Sequence, residues 1–166
     1  MSGGRGYMEK MIIYHGSNVA VPEPKIMING HYKDFGYGFY CTNIIKQVKR
    51  WALTKHGASV VNKYSYSDIS SLNVKIFPEM TEEWLEFVVN CRRGIEHNYD
   101  VVEGPMADDT IWNFVNDYLS GNISKAVFWE YAKFKHPSHQ ISFHSMRALE
   151  CLTYERSENV DDDAVE

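Results

Sequence analysis

Two short segments of this 166-residue chain carry the residue types best suited to chemistry. Tyr14–Ser17 reads Tyr-His-Gly-Ser and follows an apolar, β-prone run, and Tyr37–Tyr40 reads Tyr-Gly-Phe-Tyr. A glycine lets the backbone approach a flat ligand closely, and the neighbouring aromatic rings offer surfaces for stacking. The histidine and the serine add polar groups at the end of a rigid strand. Together the two segments predict the walls of a pocket for a planar, sugar-bearing ligand.

The elements that must position these segments are short strands with helices falling irregularly between them. The apolar patterns predict strands over 11–14, 39–41, 60–66, 72–77, 99–102, 140–144 and 152–154. Helices are expected to begin after caps at Thr42 or Asn43, Thr81, Asp108, Ser124 and Ser145. The strand over 140–144 alternates polar and apolar residues, which predicts burial on one face only. This order favours an α+β fold with a mixed sheet over a doubly wound one.

Length and composition predict a single globular domain over residues 11–156. A glycine-rich, polar lead-in over 1–10 is expected to be flexible, and an acidic tail over 157–166 is expected to be disordered. The formal net charge of -5 argues against a general nucleic-acid binder, which needs a positive field. Pro22, Pro24, Asn29 and Gly30 predict a loop after the first strand.

The cysteine count and the hydropathy pattern indicate the compartment. Cys41, Cys91 and Cys151 are far apart and odd in number, which argues against a disulfide framework or a zinc knuckle. The seven histidines show no ligand spacing, so no metal is expected. The chain has no apolar run of about 18 residues and no apolar signal core. We therefore expect a cytoplasmic protein without a membrane partner.

The chemistry-bearing segments resemble motifs of the ADP-ribosyltransferase superfamily. Tyr14–Ser17 is similar to the His-Gly-Ser or His-Gly-Thr of its polymerase-like branch, and Gly36–Tyr40 is similar to that branch's Gly-x-Gly-x-Tyr. The strand His139–Phe143 falls where the superfamily usually places a glutamate. The similarity runs over residues 12–152 and extends to a family of small, poorly characterised bacterial domains within the superfamily. Two middle segments also resemble that bacterial family: Asn90–Gly94 and Gly104–Asp109.

The resemblance implies a split, mixed antiparallel sheet with flanking helices that binds NAD as a substrate. His15 would contact a hydroxyl of the adenosine-side ribose, and Gly16 would offer its backbone to the nicotinamide carboxamide with help from Ser17. Tyr40 would pack against the nicotinamide, next to Gly38. Two further residues are candidates for NAD binding: Trp51, as a second stacking ring, and Arg93, with its neighbour Arg92, as a diphosphate clamp. Without a ligand, Trp51 would belong to the apolar face of its helix, and Arg92 and Arg93 would complement the helix dipole at its C-terminal end.

Gln140 departs from the superfamily pattern, because a glutamine keeps hydrogen bonding but lacks the charge and the base of a glutamate. His139 is a rival for the same role, and strand alternation sends the two side chains to opposite faces. Asp100, Asp108 and Asp109 are candidate carboxylates towards an acceptor, although Asp108 and Asp109 also suit a helix start. With His15 and Tyr40, Gln140 completes the catalytic set that the resemblance implies, converging on one cleft.

The function implied by the resemblance is transfer of ADP-ribose from NAD to a macromolecular acceptor, with release of nicotinamide. A protein acceptor is favoured over nucleic acid because the chain is acidic. Two alternatives stay open: hydrolysis of NAD by water, and a catalytically silent module that binds a nucleotide or a partner.

Overall fold

The structure is a computed structural model that describes residues 9–28, 33–133 and 137–160. Its strands are β1 (Met11–Ser17), β2 (Phe39–Cys41), β3 (Val60–Tyr66), β4 (Val74–Ile76), β5 (Val101–Gly104), β6 (Gln140–Phe143) and β7 (Thr153–Asn159). Its helices are α1 (Ile45–Leu53), α2 (Glu82–Arg92), α3 (Asp109–Leu119), α4 (Lys125–Ala132) and α5 (Met146–Glu150). Asn29, Gly30 and residues 1–8 of the lead-in expected over 1–10 lie outside the described residues.

The strands form two sheets, with the orders β1-β3-β7 and β2-β6-β5-β4. All neighbours are antiparallel except β4 and β5, which run parallel. A backbone bridge links the sheets: Tyr14 and Thr42 exchange N–H···O bonds of 2.8 and 2.9 Å. The expected α+β fold, with a split, mixed sheet and flanking helices, is therefore confirmed.

Three apolar clusters hold these layers together. The first joins the two sheets and includes Ile13 and Tyr64 from one sheet with Phe39, Ile141 and Phe143 from the other. The second covers the opposite face of the four-stranded sheet with side chains from α2, α3 and α4. The third packs α1 on the three-stranded sheet through Val48, Ala52, Val61 and Val160. Burial of these faces supplies the main favourable term in folding.

The helix starts follow the sequence signals in four of five cases. Thr81, Asp108, Ser124 and Ser145 each accept a backbone N–H from the first turn of the helix that follows. The expected cap of α1 at Thr42 or Asn43 is wrong, because the N-cap position is Ile44, which has no capping side chain. The Thr42 hydroxyl accepts the Ile44 N–H at 3.1 Å, one residue before the helix, and the Asn43 N–H donates to Nδ1 of His139, 3.0 Å away. His139, 96 positions away in sequence, thus binds the backbone just before this helix.

Two expectations for the later strands are also wrong. All four residues of β6 are buried, because β6 lies between β2 and β5 and is covered on both faces. The acidic tail was expected from residue 157, yet β7 continues to Asn159 alongside Val60, and Val160 is buried under α1. Residues 161–166 lie outside the described part of the chain.

Candidate functional site

The split between β1 and β2 is where the two chemistry-bearing segments meet. In a strand, the N–H and C=O groups of alternate residues point to the same edge. Tyr14 bonds Thr42, so Gly16, two residues further along β1, presents its backbone groups to the same edge. Tyr40 likewise presents its backbone to the β1 side. The edges of Gly16 and Tyr40 therefore line the split beyond the Tyr14–Thr42 bridge.

His15 lies across this split. Its Nδ1 is 2.7 Å from the Tyr40 carbonyl oxygen, which only accepts, so Nδ1 carries the proton and donates. Its ring stacks on Phe39 with the centroids 4.2 Å apart. Burial lowers the pKa of His15 to about 4, and the charges of Lys55 and Lys33 add to the effect, whereas the bond to Tyr40 opposes it. At neutral pH, Nε2 is therefore an unprotonated acceptor, suited to a hydroxyl donor.

The two buried histidines predict a stability that depends on pH. Burial also lowers the pKa of His144 to about 4. Because the unfolded chain binds these protons near pH 6.5 and the folded chain binds them near pH 4, the free energy of unfolding falls as pH falls through this window. We expect a loss of roughly 3 kcal/mol per histidine, measured by urea unfolding at pH 7 and pH 4.5. Equal stability at both pH values in the wild type would contradict the burial of these rings.

Gly16 is required by packing more than by a ligand. A Cβ atom here would lie 3.0 Å from the Ala52 nitrogen and 3.1 Å from the Val48 oxygen, both in the backbone of α1. The expectation that a side chain would obstruct a ligand is therefore corrected, because the space is already filled by α1. The backbone edge of Gly16, by contrast, stays directed at the split.

Tyr40 uses its hydroxyl to fix the turn that precedes β2. The hydroxyl donates to the Gly36 carbonyl at 2.6 Å and accepts from the Phe35 N–H at 3.0 Å. Burial raises the pKa of Tyr40 well above its usual value, so this phenol stays protonated. The Lys33 ammonium lies over the ring, 5.8 Å from its centroid. The Tyr40 ring thus makes a cation–π contact with Lys33.

Lys33 and Lys55 give the split a positive field that the sequence motifs did not predict. Both charges lower the pKa of His15, and Lys55 also lowers that of Lys33, after burial as the main cause. Both charges therefore act on His15, and Lys33 lies over the ring of Tyr40. In a chain of net charge -5, such a pair indicates a local site for an anion.

Gln140 belongs to a buried polar network around Asp34. Both residues are 3% exposed, and the Gln140 amide donates to Asp34 at 2.9 Å and to the Pro105 carbonyl at 3.3 Å. Asp34 also accepts from the Ala107 N–H at 2.7 Å and from the Arg92 guanidinium, whose Nε is 2.9 Å away. Arg92 in turn stacks on Trp112 at 3.9 Å. This network therefore fixes Asp34, the residue that follows Lys33 in the sequence.

The expected convergence of His15, Tyr40 and Gln140 is wrong. The His15 ring lies on the Phe39 side of β2, in contact with the cluster between the sheets. Tyr40 follows Phe39, so its side chain takes the opposite face, where Gln140 is held by Asp34. Only the Tyr40 carbonyl meets His15. Gln140 therefore does not reach the His15 side, because its amide is engaged in the buried network.

Four further candidates for NAD binding have local structural roles. The Ser17 hydroxyl accepts from the Val19 N–H at 3.4 Å, and a Cβ on Gly38 would meet the His144 ring at 2.8 Å. Trp51 packs in the α1 cluster, with its Cβ next to Gly16. Arg93 is exposed at the end of α2, so the inward position belongs to Arg92, which is engaged by Asp34. Of the four, Trp51 is placed beside Gly16.

His139 and the three candidate carboxylates make local contacts at helix starts and turns. His139 contacts Glu103 through Nε2 at 2.7 Å while Nδ1 accepts from Asn43. Hydrogen bonds from Ser145 and the Asn73 backbone hold the pKa of the Asp100 carboxyl below its usual value. Asp108 caps α3, and Asp109 lies in its first turn. These carboxylates are therefore not gathered at the split.

The two best-formed cavities among the described residues lie outside the split. One, of about 280 Å³, is lined at the end of α2 by Gly94, Ile95, His97 and His144. The other, of about 200 Å³, lies beside α1 and the first sheet. Within ranges 9–28, 33–133 and 137–160, no three acidic, histidine or cysteine side chains are grouped to hold a metal, and no helix has the length and apolar character to cross a membrane.

Comparison with known proteins gives a family and nothing more specific. No curated protein and no solved structure matches the chain significantly. One family model, described as a protein of unknown function (DUF3990), matches residues 11–154. That range includes both segments at the split, the Asp34 network and six of the seven strands in full. The chain therefore belongs to the DUF3990 family.

Proposed function

We propose that this chain binds NAD at the split between β1 and β2 and transfers its ADP-ribose to a macromolecular acceptor. The observation that carries the proposal is the pair of backbone edges at Gly16 and Tyr40, with the charges of Lys33 and Lys55 acting on His15 between them. A carboxamide needs one donor and one acceptor side by side, which a strand edge offers. A diphosphate needs cations, which the two lysines supply.

In the proposed reaction, the bond between the nicotinamide nitrogen and ribose C1′ breaks, and nicotinamide leaves with the bonding electrons. The acceptor's nucleophile then forms its bond to C1′ through an oxocarbenium-like transition state. His15 would hold a ribose hydroxyl through Nε2, and Trp51 beside Gly16 would flank the nicotinamide. These groups act by orienting the two partners.

The acceptor must bring its own activated nucleophile. Gln140 carries no charge and cannot remove a proton, and its amide is engaged by Asp34. A carboxylate side chain is already ionised at neutral pH and needs no base. We therefore propose a protein acceptor with an exposed Asp or Glu, which also agrees with the acidity of the chain disfavouring nucleic acid.

A catalytically silent, NAD-binding module is the second candidate, and a specific observation favours it. The residue at the usual glutamate position is buried in a network that serves the loop before β2. A site with this arrangement would retain the backbone edges and the lysines for binding. It would lack a carboxylate near the ribose to promote bond cleavage.

Incubation with NAD labelled in both the nicotinamide and the adenylate halves separates these functions. Transfer predicts release of labelled nicotinamide together with adenylate label on a glutamate-rich protein. Release without protein labelling indicates hydrolysis, and intact NAD after hours indicates the silent module. The control is the Lys33→Gln/Lys55→Gln variant, which is expected to lower any turnover at least tenfold at NAD concentrations below saturation.

A further inference from the structure

A second positive site lies on the other flank of α1. Lys63 in β3 is directly opposite Arg156 in β7 and directly opposite Tyr14 in β1. Directly opposed residues of antiparallel strands point to the same face, and Tyr14 packs against the α1 cluster, so this row lies on the α1 face. Lys49 of α1 joins it in lining one groove. We call the site formed by Lys49, Lys63 and Arg156 the basic groove.

The charges of the basic groove are poorly balanced within the described residues. Like charges directly opposed across a sheet, as Lys63 and Arg156 are, destabilise it. The carboxylate in the groove is Glu158, which pairs with Arg156 at 2.8 Å. The other nearby carboxylate, Glu155, acts on Lys63 but is bonded to Ser65 and Lys10. Three cations therefore share one carboxylate in the groove, and an added anion would relieve their repulsion.

The basic groove is distinct from the split. On a helix, successive residues are about 100° apart in projection, so residues three or four apart in sequence share a face. Val48 and Ala52 of α1 face the sheet. Lys49 then lies on one flank of that buried face and Trp51 lies on the other, while Lys55 follows the end of α1 at Leu53. An anion in the basic groove would not occupy the site proposed for NAD.

We propose that the basic groove docks an acidic segment of a partner protein. Its volume of about 200 Å³ is below the roughly 300 Å³ at which small-molecule sites begin, and it suits one or two carboxylate side chains. Tyr14 is the one aromatic residue in its lining, so it offers no row of rings on which bases could stack. Glu158 at the groove and the net charge of -5 repel an extended nucleic acid. This inference does not depend on the proposed function.

Fluorescence anisotropy of a labelled hexaglutamate peptide tests the proposal with the full chain. We expect saturable binding in 50 mM salt, weakened more than about tenfold in 300 mM salt, because the contacts are charge pairs at the surface. Lys49→Gln and Arg156→Gln should each raise the Kd about three- to tenfold. The matched control is Lys25→Gln, an exposed lysine in the loop after β1, which should bind the peptide as the wild type does. Circular dichroism confirms that each variant is folded.

Two further measurements distinguish the basic groove from the split and from a nucleic-acid surface. The Lys33→Gln/Lys55→Gln variant should bind the peptide normally, and saturating NAD should not displace it. The proposal is overturned if both groove variants bind the peptide as the wild type does, or if the split variant loses binding instead. It is also overturned if a thymidine hexanucleotide binds more tightly than the peptide, which would indicate a nucleic-acid surface.

Discussion

Asp34→Ala should lower the free energy of unfolding by about 3–5 kcal/mol, the cost of removing one partner from a buried ion pair. The aspartate is 3% exposed and accepts from Arg92, from the Gln140 amide and from the Ala107 N–H. Without the carboxylate, these donors lose the acceptor that they share. Position 34, next to Lys33, is then no longer held in place. The change in stability is measured by urea unfolding at pH 7.

Asp109→Ala provides the matched control for this prediction. Asp109 is an exposed aspartate in the first turn of α3, where its charge suits the positive end of the helix dipole. Its removal should cost about 0.3–1 kcal/mol. If Asp34→Ala costs no more than Asp109→Ala, the buried network does not anchor the loop before β2 as described.

Gly16→Val should both destabilise the fold and weaken NAD binding at the split. A Cβ at this position already lies 3.0 and 3.1 Å from backbone atoms of α1, and the two methyl groups of valine extend further into that helix. Overpacking of this kind costs about 1–3 kcal/mol. Because α1 carries Trp51 and leads to Lys55, its displacement should weaken NAD binding at least about tenfold. Thermal unfolding and NAD titration measure the two effects.

Ser17→Val is the control for the steric argument. Ser17 is the next residue of β1, is half-buried, and makes a 3.4 Å bond to the Val19 N–H. Its replacement should cost less than about 1 kcal/mol and leave α1 in place. Wild-type NAD affinity in Gly16→Val would show that the contact with α1 has no bearing on the split.

Much of the framework was predictable because its signals are local. Thr81, Asp108, Ser124 and Ser145 mark helix starts through bonds to the residue three positions later, so the sequence alone contains the interaction. The strand over 39–41 lies where it is predicted, whereas β1, predicted over 11–14, continues through His15 and Gly16 to Ser17. Short apolar runs beside glycine are typical of buried strands.

The remaining features depend on contacts between residues distant in sequence. Asp34 and Gln140 are 106 positions apart, and nothing in the spacing of either indicates that they bond. Gln140 was therefore placed in the cleft by its similarity to a motif, whereas the fold turns it towards Asp34. The bond from the Asn43 N–H to His139 just before α1, and the effect of Lys55 on Lys33, were missed for the same reason. An isolated lysine gives no sequence signal of a binding role.

Calorimetric titration of NAD into the full chain tests the central claim, that the split binds NAD, most directly. We predict saturable heat for the wild type and an affinity at least about tenfold weaker for Lys33→Gln/Lys55→Gln, because the diphosphate loses two cations. A Lys25→Gln/Lys133→Gln control removes two exposed lysines elsewhere and should keep wild-type affinity. Absence of heat from the wild type at millimolar NAD, or equal affinity in the two double variants, would contradict the claim.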